Sequence, residues 1–319
     1  MSVSEPTFAL TLDVGGSHVT SARVSLAARR VESEARRVLA HTQTLPQLLG
    51  GWAGAALEAA GDHGGPFSHL GLAVPGPFDL EGGVSRMTHK FPELRGVPLR
   101  PLLAPYFAGT PLEGLPILFG NDADLFALGE WWAKRERTAG EGAPADRMIG
   151  LTLGTGLGSG FISGGTVVTT GDTVPPGGEL WSVPHRGVLA ETFACGAALT
   201  HAWTALGGQD EPSARELAAL AEGGDGRALD AFRVFGTDLA DLLWPWAKRF
   251  AAQRVVLGGS VSHAFRLFGL AVQAGLDSHA GLECRVQVSE HFERAGLLGA
   301  AALASEAASA AFTSRGEPT

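Results

Sequence analysis

Cysteine is scarce in this chain: Cys195 and Cys284 are the two among 319 residues, far apart and in no paired spacing. Their scarcity excludes a disulfide framework and makes a reducing, cytoplasmic compartment the expectation. Basic excess is lacking too. Thirty-three acidic residues against 24 basic ones leave a formal charge of −9, which argues against general binding to nucleic acid or anionic membranes. No apolar run approaches the ~20 residues that a bilayer span needs. The N-terminal MSVSEPTFAL has no basic stretch ahead of an apolar core, so no signal peptide is expected. Short-period repeats and low-complexity tracts are also absent. What is present is 45% apolar and 18% charged residues, a globular composition in a chain long enough for two domains.

Hydrophobic patterning divides that length into strands and helices. The apolar run Phe8 to Leu12 predicts a buried strand, with Val19 to Leu26 as its hairpin partner. Leu45, Leu48, Leu49, Trp52 and Ala56 stand at helical spacing and predict a helix over 45–60. His69 to Val74 predicts a third strand, closed by Pro75-Gly76-Pro77, and a loop-rich stretch runs from Phe78 to Gly114. Pro116 to Phe119 predicts a strand that breaks at Gly120-Asn121-Asp122-Ala123-Asp124 and passes into a helix. The polar segment Arg135 to Arg147 is the expected domain seam. Beyond it, Met148 to Leu153 reads as a strand and Phe161 to Val168 as a returning hairpin. Leu189 to Leu206 and Arg227 to Ala252 read as helices, the second kinked at Pro245. A strand over Arg254 to Leu257 feeds a helix from about Ser262; Cys284 to Val288 and Ala295 to Ala311 are the last strand and helix. Two rounds of hairpin strands followed by strand–helix units predict an α/β chain of two lobes with a cleft between them.

Several glycine turns and acids could carry chemistry. Asp13 ends the first strand and precedes Gly15-Gly16-Ser17, where backbone N–H groups can approach a phosphate and the carboxylate can hold hydrated Mg²⁺. An ordinary β-hairpin explains the same residues. Leu151 to Gly160 carries glycine at 154, 156, 158 and 160, a ribbon suited to a polyphosphate; a glycine-rich hairpin without ligand is the plainer reading. At Gly258-Gly259-Ser260 a strand meets a helix, whose N-terminus favours an anion. Asn121 and Asp122 stand where a strand becomes a helix. They are either helix caps or a general base with its neighbour, as phosphoryl transfer to a hydroxyl requires. Glu179 and Glu191, next to glycine or apolar neighbours, are either surface acids or acceptors for ligand hydroxyls.

Taken in order, LDVGGSHVTSARV, GLAVPGPFD, GNDADLFALGE, LTLGTGLGSGFISGG, GGEL, AETFACGAAL and VVLGGSVSHA resemble the ROK family of sugar kinases, glucokinases in particular, from about Phe8 to about Ala304. The resemblance implies an actin-like, hexokinase-type (ribonuclease H-like) two-lobed fold with a central cleft, and a homodimer. Its lobes are expected over 1–120 plus 295–319, and over 121–294. Position by position, Asp13, Gly15, Gly16 and Ser17 resemble the first phosphate motif, with Mg²⁺·ATP held there. Gly154, Thr155 and Gly156 resemble the second phosphate motif, and Gly258 and Gly259 the adenosine region. Asp122 resembles the base that deprotonates the attacking 6-hydroxyl, with Asn121 a sugar ligand beside it. Pro75 and Gly76 resemble the sugar-pocket lining, and Glu179 and Glu191 the two acids that accept bonds from ring hydroxyls.

Three departures bear on the sugar. Similar proteins read Gly-Glu-x-Gly-His where this chain has Gly178-Glu179-Leu180-Trp181-Ser182. They carry a Cys-x-Cys-Gly-x-x-Gly-Cys zinc knot where this chain has His185 to Ala190, without cysteine. A structural zinc needs four N or S ligands, so no zinc is expected; His185 lies three residues too late to match the missing histidine. Lys90 replaces a frequent Asn. The acceptor is therefore open between glucose and an N-acetylhexosamine (N-acetylmannosamine or N-acetylglucosamine), and the donor between ATP and polyphosphate. A non-catalytic sugar sensor is the reading of another class. Repressors of this family place a helix-turn-helix domain ahead of the kinase-like part, whereas 12 residues precede Asp13 here, and a sensor has no use for Asp122.

Overall fold

A computed structural model describes residues 7–40, 42–61, 65–87, 91–134 and 147–304; Lys90 lies outside them. The chain forms two compact units, 1–137 with 293–319, and 138–292.

In the first unit, strands β1 (Phe8–Val14), β2 (His18–Ser25), β3 (Arg30–Val38), β4 (Phe67–Val74) and β5 (Ile117–Asn121) form one sheet in the order β3-β2-β1-β4-β5. The first three strands are antiparallel, whereas β1, β4 and β5 run parallel. β1 and β4 are buried almost throughout, the pattern of strands covered on both faces. Helix α1 (Leu45–Ala60) follows β3 and buries Leu48, Leu49, Trp52 and Ala56. It begins where Gln47 Oε1 accepts the Thr44 N–H at 2.9 Å and ends at Gly61, whose φ of 63° suits glycine. Helix α2 (Asp122–Lys134) starts directly from β5.

The second unit repeats that order. Strands β6 (Arg147–Leu153), β7 (Leu157–Ser163), β8 (Thr166–Val167), β9 (Arg254–Gly258) and β10 (Arg285–Val288) are arranged β8-β7-β6-β9-β10. Again there is an antiparallel side and a parallel side. Helices α3 (Gly196–Ala205), α4 (Ala214–Glu222), α5 (Gly226–Phe250) and α6 (Phe265–Asp277) surround a core that includes Phe161, Phe232, Phe235 and Phe268. Finally α7 (Glu293–Ala302) returns to the first unit and packs on α2, β1 and β4. There Gly129 of α2 faces the Ala295 carbonyl and Gly299 of α7 faces the Leu125 carbonyl, with no room for a Cβ at either position.

Several expectations need amending. β3 was not anticipated, because an edge strand with alternating charge buries Ala35 alone. The long glycine ribbon is a hairpin: Leu153 already pairs with Leu157, so Gly158 and Gly160 lie within β7. Leu189 belongs to a short hairpin, Pro184–His185 with Val188–Leu189, and the α-helix starts at Gly196. A 3₁₀ turn, Ser260–Ala264, separates β9 from α6, so no α-helix N-terminus stands at Gly259. The last helix ends at Ala302, and Ser305 to Ala311 lie outside the described residues. Asn121 to Lys134, expected in the segment 121–294, fall in the first unit because α2 packs on α7.

Candidate functional site

Strand register decides what comes together in the first unit. Asp13 on β1 pairs with Ala73 on β4, and Ala73 pairs with Gly120 on β5. Neighbouring strands lie ~4.8 Å apart, so Asp13 and Gly120 are separated by roughly 10 Å. Pro75 and Gly76 follow β4 at the same edge, with a cis bond between Gly76 and Pro77. Asn121 pairs with Val74, and Asp122 opens α2. Asp13, Pro75, Gly76, Asn121 and Asp122 thus occupy the carboxyl edge of three adjacent parallel strands, where open α/β sheets bind ligands.

Each of these side chains has a local task. Asn121 Oδ1 accepts the backbone N–H groups of Ala123 at 3.0 Å and Asp124 at 3.2 Å, a helix cap. Its amide Nδ2 is a donor not used in that cap. Asp122 Oδ1 accepts the Ala123 N–H at 2.8 Å. Standing in the first turn of α2, Asp122 meets the positive end of the helix dipole, which favours an anion there. Asp13 is half-buried, and its Oδ2 would lie 3.6 Å from a Cβ placed on Gly296 of α7. The Gly15–His18 turn is tight, with the Gly15 N–H donating to the His18 carbonyl at 2.9 Å. Neither Gly15 nor Gly16 takes positive φ. At Gly15 space is tight, since a Cβ there would stand 3.3 Å from the His18 oxygen.

The second unit assembles another carboxyl edge. β6 and β9 run parallel with Thr152 opposite Gly258, so the Gly154-Thr155-Gly156 turn and Gly258-Gly259 emerge side by side. Gly259 has φ +80°, and a Cβ on it would meet the Leu153 backbone at 2.5 Å from the carbonyl oxygen; glycine is required on both counts. Gly154 N–H donates to the Gly156 carbonyl at 3.0 Å, and the Gly154 carbonyl accepts the Gly196 N–H at 2.8 Å. The first residue of α3 is therefore at this turn, a neighbour that nothing in the sequence signalled.

Glu191 joins the same turn. Its Oε2 accepts the Leu157 N–H at 3.1 Å, and it would be 2.7 Å from a Cβ on Gly156. Glu179 is half-buried, and its Oε2 accepts the Trp181 indole N–H at 3.0 Å. Ser159 on β7 holds the adjoining backbone, donating to the Gly178 carbonyl at 2.6 Å and accepting the Leu180 N–H at 2.9 Å. His185 packs edge-on against Phe193, with ring centroids 5.1 Å apart, and its buried Nε2 has no hydrogen-bond partner. Burial, with Arg186 nearby, keeps its pKa below the ordinary histidine value. Both cysteines are free and buried; burial and Asp277 push the Cys284 thiol up to about 12, which makes it an inert packed group.

Among the described residues no three His, Cys, Asp or Glu side chains gather as a metal cage. Asp13 fits a different arrangement, one half-buried carboxylate reaching a hydrated Mg²⁺ through water. No helix among the described residues is long and apolar enough to cross a membrane.

Comparison with known proteins gives a consistent picture. The ROK family model matches residues 9–307. A glucokinase from Thermotoga maritima is 29% identical over 265 residues, covering 75% of this chain and 79% of the relative. An N-acetylmannosamine kinase from Yersinia pseudotuberculosis is 28% identical over 305 residues, covering 92% and 96%. The crystal structure of a ROK family glucokinase from Streptomyces griseus, in complex with glucose and AMPPNP, superimposes with a TM-score of 0.71 at 22% identity, covering 93% of this chain and 98% of that one.

Proposed function

The chain belongs to the ROK family and is a sugar kinase of the actin-like, hexokinase-type α/β fold, and from that premise we propose that it transfers the γ-phosphoryl group of ATP to the 6-hydroxyl of a hexose, glucose first. The observation that carries this reading is the Asp13–Ala73–Gly120 register, which brings Asp13, the Pro75-Gly76 turn and Asp122 to one sheet edge.

In the proposed reaction Asp122 accepts the proton of the 6-hydroxyl as that oxygen attacks the γ-phosphorus. The bond from phosphorus to the β,γ-bridging oxygen breaks, and ADP leaves with that electron pair. Asn121 Nδ2, Glu179, Glu191 and the Pro75-Gly76 turn hold the sugar. Backbone N–H groups of Gly16, Ser17, Thr155 and Gly156 meet the phosphates, Gly15 and Gly154 shape those turns through their bonds to the His18 and Gly156 carbonyls, and Gly258 and Gly259 lie along the adenosine. Asp13 would hold Mg²⁺ through water, and the ion would neutralise phosphate charge there. The proposal includes a cytoplasmic homodimer.

An N-acetylhexosamine acceptor is the second reading. It is favoured by the length of the match to the Yersinia N-acetylmannosamine kinase. Incubating hexoses and N-acetylhexosamines with Mg²⁺ and either ATP or polyphosphate, with sugar phosphate as the readout, tests both. Glucose 6-phosphate formed fastest from ATP is the expected result. Absence of product from every acceptor with both donors would leave the sensor.

A further inference from the structure

Between Glu179 and α3 the chain makes a two-stranded hairpin, Pro184–His185 with Val188–Leu189, joined by Arg186-Gly187. Both loop residues have positive φ, 48° and 85°, as a two-residue hairpin turn of the primed type demands. Arginine is an unusual occupant of the first of these positions. Its side chain accounts for its presence: one guanidinium nitrogen donates to Asp238 Oδ1 at 2.5 Å and the other to Asp241 Oδ2. Spaced three apart, those acids lie on one face of α5. The same guanidinium sits over the Phe193 ring, 5.4 Å from its centroid, and the His185 ring meets Phe193 edge-on.

Phe193 closes the 3₁₀ turn Ala190–Phe193, which carries Glu191. The hairpin is tied to that turn again where the Ala190 N–H donates to the Val183 carbonyl at 2.9 Å. Glu191 in turn holds the Leu157 N–H. Contacts therefore run without a break from α5, through Arg186 and Phe193, to the Gly154–Leu157 turn. A single exposed ion pair contributes little to position. This guanidinium has acids on two prongs and a ring against its face, an arrangement that a planar fork satisfies and an ammonium does not.

We propose that Arg186 is a positioning residue: clamped between Asp238, Asp241 and Phe193, it fixes the turn that presents Glu191, and so holds the glycine turn of the second unit and one of the hexose ligands. The role in hexose binding rests on the sugar-kinase reading; the role in holding the turn does not.

The test uses the full chain and Arg186→Ala. Hydrogen exchange at the Leu157 amide should accelerate ~10-fold or more while exchange in the middle of β7 and β9 stays unchanged. The hexose KM should rise ~3- to 10-fold, the ATP KM should rise with it because the same turn is the proposed phosphate motif, and kcat should stay within about twofold. Arg186→Lys should recover part of the effect, and in a Glu191→Gln background Arg186→Ala should add nothing further to the hexose KM. Unchanged exchange at Leu157, or acceleration spread evenly over the second unit, would overturn the proposal. If the wild type phosphorylates no hexose, the sugar-kinase reading fails while the exchange measurement still decides the clamp.

Discussion

The two carboxyl edges are built by different means. In the first unit Asp13, Asn121 and Asp122 are strand-end residues, and their placement follows from the β1–β4–β5 register. Both faces of β1 are covered, so slipping that register by one residue would exchange the side chains packed on each face, and the core itself enforces the geometry. In the second unit Glu179 and Glu191 lie in irregular segments and are held by single side-chain bonds from Trp181 and to the Leu157 N–H. The contrast teaches where this fold is rigid and where it can drift: the proposed base is set by a sheet, the proposed sugar acids by a handful of side chains.

Substitutions can break or sharpen that contrast. The largest effect is expected on the register-held side, where Asp122→Asn should lower kcat by ~10² or more with hexose affinity nearly unchanged. Steady-state kinetics with a parallel binding titration checks this, and near-normal turnover would remove Asp122 from its role. On the loop-held side the penalty should fall on binding instead. Glu179→Gln should raise the hexose KM by ~10-fold, and Trp181→Phe, which keeps a ring but loses the N–H bonded to Glu179, by only about twofold to threefold. Equal effects of the two, or a change confined to kcat, would count against Glu179 as a sugar ligand.

A smaller effect is expected in the first unit's own stability. His69 is buried, with Nε2 donating to the Ala300 carbonyl at 2.9 Å and Nδ1 2.8 Å from Ser68 Oγ. Burial lowers its pKa from the ordinary 6.5, against a weaker opposing pull from the Ala300 bond. The unfolded chain therefore takes up the proton first as pH falls. The contribution of this site is complete above 6.5 and is lost progressively below it, down to the depressed folded value. Denaturant midpoints measured across that range should show a shallower pH slope for His69→Gln than for the wild type; parallel slopes would refute the assignment. Smallest of all should be the effect of metal removal on folding. Exhaustive chelation should leave the melting temperature within about 1 °C while abolishing turnover until Mg²⁺ is restored. A melting point that drops with chelation and recovers with zinc would mean that a structural metal exists after all.

Much of this was readable from local pattern. Leu48, Leu49, Trp52 and Ala56 lie on the buried side of α1 where their spacing puts them, and the apolar runs ending at Val74 and Leu153 are strands. The Asn121 cap was legible because a strand end and a helix start are sequence neighbours there. β3 escaped notice because Arg30, Glu32, Glu34, Arg36 and Arg37 give an edge strand no apolar face. The Arg186-Gly187 turn lacks the Asn-Gly signature of its class. Ser159 with Gly178 and Arg186 with Asp238 are partners 19 and 52 residues apart; no periodicity announces such pairs, since tertiary packing alone creates them. The glycines differ in kind: Gly259 takes a positive φ of 80°, whereas at Gly15 a Cβ would only crowd the His18 oxygen.

The tight seating of α7 on α2 bears on biosynthesis. The second unit is continuous in sequence, whereas the first must await residues 293–302 before Gly299 can meet the Leu125 carbonyl. Domains usually mature on the ribosome from the N-terminus onward, yet here the half translated first is the half completed last. Until then the α7-facing sides of β1 and β4 stay uncovered.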